Sequence, residues 1–172
     1  FYNVQIRDAV NTGCVIILNG SLQITQPPVL SAFVSKTNVT CNGAANGTIT
    51  VAGASGGYGT YDYSIGTGWQ ATGSFTALAP ASYPVSIRDR ANPACVMIID
   101  PAVVITQPAL LNGTASATMV TCFGANDGII TISGQSGGSG SYQYSVNGGT
   151  GWQGSATFTN LPNAIYNVLM RD

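Results

Sequence analysis

The sequence has little charge. Only 6% of its 172 residues are charged, with five Lys and Arg against six acidic residues, all of them Asp. A soluble domain usually carries about 25%. Five scattered cations in a chain of net charge −1 supply no phosphate-binding stripe, so nucleic acid is not an expected partner. There is no His, which removes every His-based triad and His metal site. The longest apolar runs, such as Cys14-Val-Ile-Ile-Leu18 and Ala94-Cys-Val-Met-Ile-Ile99, reach about six residues, far short of the roughly 20 that span a bilayer. Disorder is not expected either, because 45% of the residues are apolar, the opposite of a disordered composition. The sequence starts at Phe1 with no Met or signal peptide, and is read as a window from a longer chain.

What is present is a repeat of 81 to 83 residues. Tyr2-Asn-Val-Gln-Ile-Arg-Asp8 returns as Tyr83-Pro-Val-Ser-Ile-Arg-Asp89 and as Tyr166-Asn-Val-Leu-Met-Arg-Asp172. Ile24-Thr-Gln-Pro27 returns at 105–108, Val39-Thr-Cys-Asn-Gly43 at 120–124, Tyr61-Asp-Tyr-Ser64 at 142–145, and Thr67-Gly-Trp-Gln70 at 150–153. Dense matching along the chain marks a tandem array. The expected units are 1–27, the last part of one repeat; 28–108, a complete repeat; and 109–172, a repeat lacking its last strand. Pro27-Pro28 and Pro108 make short, stiff linkers, and units joined this way form a rod.

Within one unit, period-2 alternation predicts strands near 31–40, 47–53, 60–66, 73–78, 82–89 and 95–106, with a short segment near 68–72. Ile49, Val51, Tyr61, Tyr63, Ile65, Phe75, Leu78, Tyr83, Val85 and Ile87 form the expected core. Asn46-Gly47 and Asp127-Gly128 are turn dipeptides. Asp100-Pro101 interrupts the last strand, where a bulge or a change of sheet is expected on an edge. Short strands at this density predict an all-β chain of tandem immunoglobulin-like sandwiches, with Tyr83 at the tyrosine corner.

Few residues carry chemistry. Cys14, Cys41, Cys95 and Cys122 follow the repeat, and two cysteines per unit in a β-rich chain point to an oxidising, extracellular setting. No C-x-x-C motif or zinc set is present. Pairing Cys41 with Cys95 closes a loop of about 54 residues, worth about 4 kcal/mol in the chain-entropy treatment. Against it, sandwich topology puts those two turns at opposite poles, roughly 30 Å apart, where a disulfide needs Cα atoms within about 7 Å. The alternative joins cysteines of successive units. Both pairings stay open, with the within-unit one narrowly preferred.

The recurring Arg-Asp pair ends a strand, so its two side chains point to opposite faces. The Asp is expected to cap the following turn. One carboxylate with carbonyls is a poor calcium set, and no metal or cofactor is expected. Trp69 and Trp152 either close one end of the sandwich or form a sugar-stacking platform. Asn-x-Ser/Thr triplets occur at Asn19, Asn38, Asn46 and Asn112, and mean glycosylation only in a host that reads them.

The pattern Val-Thr-Cys-Asn-Gly, Asn-Gly-Thr-Ile-Thr-Val, Tyr-x-Tyr-Ser, Tyr-x-Val-x-Ile-x-Asp, Cys and Ile-Thr-Gln-Pro resembles the SprB repeat. This resemblance implies a giant surface adhesin of gliding and related Bacteroidetes bacteria, exported by type IX secretion and acting in surface attachment and gliding motility. It brings no catalytic residues, and no enzyme activity is expected. Phe123 departs from the Cys-Asn-Gly pattern, and Arg precedes the Asp. The expected partners are neighbouring repeats, lateral copies in a filament, and a surface polysaccharide or abiotic surface. A carbohydrate-binding accessory module of a secreted enzyme is the alternative, and it requires Trp69 and Trp152 exposed on one face.

Overall fold

The structure is a computed structural model describing residues 1–172. It is all-β, with thirteen strands. Six of them build the middle of the chain: β3 (Ser31–Thr37), β4 (Gly47–Ser55), β5 (Tyr61–Ser64), β6 (Ser74–Leu78), β7 (Ala81–Asp89) and β8 (Val96–Ile105). They form two antiparallel sheets in the orders β3-β4-β6 and β5-β7-β8. Alternation explains the packing. Ile49 and Val51 of β4 face Val85 of β7 across a core that also holds Val39, Ile65, Phe75, Leu78, Val103 and Ile105. Ile49, Val85 and Ile87 are fully buried, and each contributes about 1.5–3 kcal/mol through the apolar surface it removes from water. The Tyr83 hydroxyl donates to the Ala79 carbonyl at 2.9 Å, and Tyr166 repeats this on Pro162 at 2.8 Å, which is the expected corner.

The Asp100-Pro101 break is a bulge. Val85 pairs with Asp100 and Tyr83 with Val103, with a register shift between them. Strand β8 stays beside β7 to its end instead of changing sheet. Past the bulge it leans on β3, where Lys36 Nζ donates to the Val104 carbonyl. Beyond the strand ends, the N–H of Val39 bonds the Thr106 carbonyl at 3.2 Å. Strands β3 and β8 therefore run the same way, and the chain enters this sandwich at one pole and leaves at the other.

A second sandwich follows, from β9 (Ala109–Thr118), β10 (Gly128–Gly138), β11 (Gln143–Ser145), β12 (Thr157–Leu161) and β13 (Leu169–Arg171). Its sheets are β12-β10-β9 and β11-β13. No strand lies beside β13 as β8 lies beside β7. A groove of about 330 Å³ opens there, lined by Val120, Ile130, Leu161 and Tyr166. The equivalent space in the first sandwich is filled by Ile105, which sits against Gly47. At the other end of the chain, β1 (Tyr2–Arg7) and β2 (Val15–Leu22) form a hairpin paired only with itself. Ile6, Ile16 and Leu18 are exposed on it.

One non-glycine residue in each sandwich adopts a left-handed backbone: Ala77 at φ 56° and Asn160 at φ 60°. Gly47 pairs with Leu78 and Ile49 with Phe75, so Thr76 and Ala77 together oppose Thr48 in a bulge. Asn tolerates this region better than Ala does. Ala77→Gly is therefore expected to stabilise the protein by about 0.5–1 kcal/mol, read as a higher urea midpoint, and Asn160→Gly by less.

Candidate functional site

The recurring Asp at the end of strand β7 is a keystone between two loops. The Asp89 side chain is fully buried. Its Oδ1 accepts the N–H groups of Ala91 and Asn92 at 2.8 and 3.1 Å, the expected turn cap. Its Oδ2 accepts the N–H of Tyr58 from the β4–β5 loop. Asp8 repeats the cap on Val10 and Asn11 at 2.7 and 2.8 Å. Asp172 repeats the cross-loop bond on Ser139, with N–H at 2.7 Å and hydroxyl at 2.6 Å. These donors, first among them Tyr58 N–H, hold the Asp89 carboxyl below the usual carboxylate range against the opposing effect of burial. The approach leaves no room for a side chain on the loop, since a Cβ on Gly57 would lie 2.3 Å from Asp89 Oδ2. Backbone N–H groups thus occupy both carboxylate oxygens, and no three His, Cys, Asp or Glu side chains gather anywhere.

The outer face of the β5-β7-β8 sheet carries an ionic and aromatic cluster. Arg88 and Arg90 both pair with Asp62, at 3.0 and 2.8 Å. The Arg90 hydrogen bond leads in lowering the Asp62 pKa, and the Arg88 bond adds to it. Arg88 does not pair with its neighbour Asp89, as the alternation of faces requires. Its guanidinium lies over the Trp69 ring, 4.6 Å from the centroid. In the second sandwich Arg171 lies 4.3 Å over Trp152. There Gln143 stands where Asp62 would be and accepts from Arg171 at 2.9 and 2.6 Å. Neither Trp belongs to a core cluster. Trp69 is 37% exposed, but a cation already occupies one face of each ring, a contact worth about 0.5–1 kcal/mol at such a site. Trp152 is further tied by Nε1 donating to the Gly149 carbonyl at 2.9 Å.

Residues 34–68 and 114–151 match the SprB repeat. Two stretches of the chain are thus similar to the SprB repeat. The matched stretches run from within β3 or β9 to the turn after β5 or β11, so they cover equivalent parts of the two sandwiches. The SprB repeat is a structural repeat family of cell-surface proteins of the adhesin type, and not an enzymatic family. No curated protein and no solved structure matches the chain.

The four cysteines are exposed and free. The structure does not make the narrowly preferred pairing. Cys41 lies in the β3–β4 loop, beyond the Thr37–Thr48 pair. Cys95 lies in the β7–β8 loop, beyond the Arg88–Val96 pair. The nine residues of β4, about 30 Å of extended chain, separate those two ends. Cys14 occupies the Cys95 position in the first hairpin, and Cys122 the Cys41 position in the second sandwich. Sequence reading missed the Asp62 cluster and the second reach of Asp89. The one available signal was the recurrence of Gly-Gly at 56–57 and 137–138 in step with the Asp.

Proposed function

We propose that this chain is a stalk segment of a large secreted bacterial surface adhesin. It holds binding parts of the adhesin away from the cell in surface attachment or gliding motility, after export by type IX secretion. The observation that carries this reading is the placement of entry and exit at opposite poles of the β3–β8 sandwich. A chain that passes straight through each unit, with Pro108 alone before the next strand, builds length with every repeat. Low charge lets such rods lie side by side without strong repulsion, so lateral copies and neighbouring repeats are the proposed partners. A polysaccharide or an abiotic surface is the proposed target, held by many weak contacts in parallel. The accessory-module alternative is less favoured, because Arg88 and Arg171 each already occupy one face of the Trp rings it would use.

Small-angle scattering tests the rod. A compact chain of this length has a radius of gyration of about 16 Å. Two sandwiches and a hairpin in line, at about 35–45 Å per sandwich, give about 25 Å or more. A value near the compact figure overturns the reading.

A further inference from the structure

The two cysteine positions of the repeat sit against the two places where the chain meets its neighbours. The Cys41 loop is fastened to the exit of its sandwich. Asn42 Nδ2 donates to the Pro108 carbonyl at 3.0 Å, and the Gly43 N–H to Gln107 Oε1 at 2.9 Å. The Cys95 loop is fastened to the entry. The Cys95 carbonyl accepts the Asp89 N–H at 3.0 Å, and Gly57, beside the Tyr58 that Asp89 holds, donates its N–H to the Pro28 carbonyl at 2.9 Å.

The same parts meet at the joint between the two sandwiches. Pro108, held by the residue next to Cys41, is followed directly by Ala109. Ala109 pairs with Gly138, and Asp172 binds the adjacent Ser139. In both earlier copies a cysteine lies six residues past this Asp, at Cys14 and Cys95. In both, its carbonyl is bonded to the Asp N–H at 3.0 Å. A cysteine following Asp172 in that geometry lands on the loop cluster flanking Pro108–Ala109, the same joint to which the Cys41 loop is fastened.

We propose that the disulfide of these repeats crosses the joint. The Cys41-type cysteine of one sandwich bonds the Cys95-type cysteine of the sandwich that follows. The two thiols give up two protons and two electrons to a low-molecular-weight disulfide, which leaves as two thiols while one S–S bond forms. Each sandwich then folds without a staple of its own, and the staple fixes the angle between neighbours.

The test appends the chain's own Arg90–Pro108 sequence after Asp172, which gives the second sandwich its missing loop and strand. The protein is oxidised with a low-molecular-weight disulfide, digested without reductant and mapped by mass spectrometry. The expected product is a peptide joining Cys41 to the appended cysteine, lost in Cys41→Ser. A Cys41–Cys95 peptide, or Cys41 and the appended cysteine both unlinked, overturns the proposal. A second arm uses the 172-residue chain with Ser141→Cys, on the exposed loop beside Asp172. A short bis-maleimide is expected to link it to Cys41. A link to Cys95 or Cys122 in its place, or none, overturns the proposal as well.

Discussion

Gly56→Ala is expected to destabilise the first sandwich by more than about 3 kcal/mol, and Gly137→Ala to do the same in the second. Both glycines are left-handed, at φ 86° and 85°. A Cβ on Gly56 would stand 2.0 Å from the Val29 carbonyl oxygen, and one on Gly137 the same distance from that of Leu110. Both obstacles are backbone, which cannot swing aside as a side-chain tip can. Gly59 separates the two contributions. It has φ 87° with nothing within 4 Å of its Cβ position, so Gly59→Ala incurs only the backbone strain, about 1–2 kcal/mol. Urea titrations of the three variants check this. Equal losses at Gly56 and Gly59 would show that the contact with Val29 is relieved at no cost.

Asp89→Asn is expected to weaken the fold at neutral pH and to flatten its response to acid. In the folded chain the Asp89 pKa lies below its unfolded value, so ionised Asp89 favours the folded state at neutral pH. That contribution is present above the unfolded pKa of about 3.9 and is lost as pH falls from there through the folded pKa. Asp8, Asp62, Asp127 and Asp172 are lowered too. The parent should therefore hold its stability down to about pH 5 and lose it steeply below about pH 4. In Asp89→Asn one proton's share of that slope disappears. Denaturant unfolding at several pH values measures both effects, and an unchanged acid slope would contradict the role given to Asp89.

Much of the fold was legible because it rests on local pattern. The alternation in Tyr83-Pro-Val-Ser-Ile-Arg-Asp89 fixes which side chains face inward, and the structure buries Val85 and Ile87 accordingly. The Asp89 cap was legible for the same reason, since its turn partners lie two and three residues away. The other contacts of the site join residues with no nearby sequence signal. Arg88 and Arg90 reach Asp62 across 26 and 28 residues, and Arg88 meets Trp69 only because β7 pairs with β5. For the cysteines the sequence supplied two opposing arguments: loop-closure entropy preferred Cys41 with Cys95, and sandwich topology put them at opposite poles, where the structure places their loops.

The parallel course of β3 and β8 also determines how the protein answers force. A pull on the two ends of the β3–β8 sandwich draws Ser31 and Ile105 apart along the strand axis. The bonds between these elements, Lys36 to Val104, Val39 to Thr106, and Thr106 N–H to Asn38 Oδ1 at 3.1 Å, are then loaded together in shear. They cannot open one after another as a zipper does, so they must fail at once. A sandwich loaded in this way is expected to yield in one abrupt step rather than strand by strand.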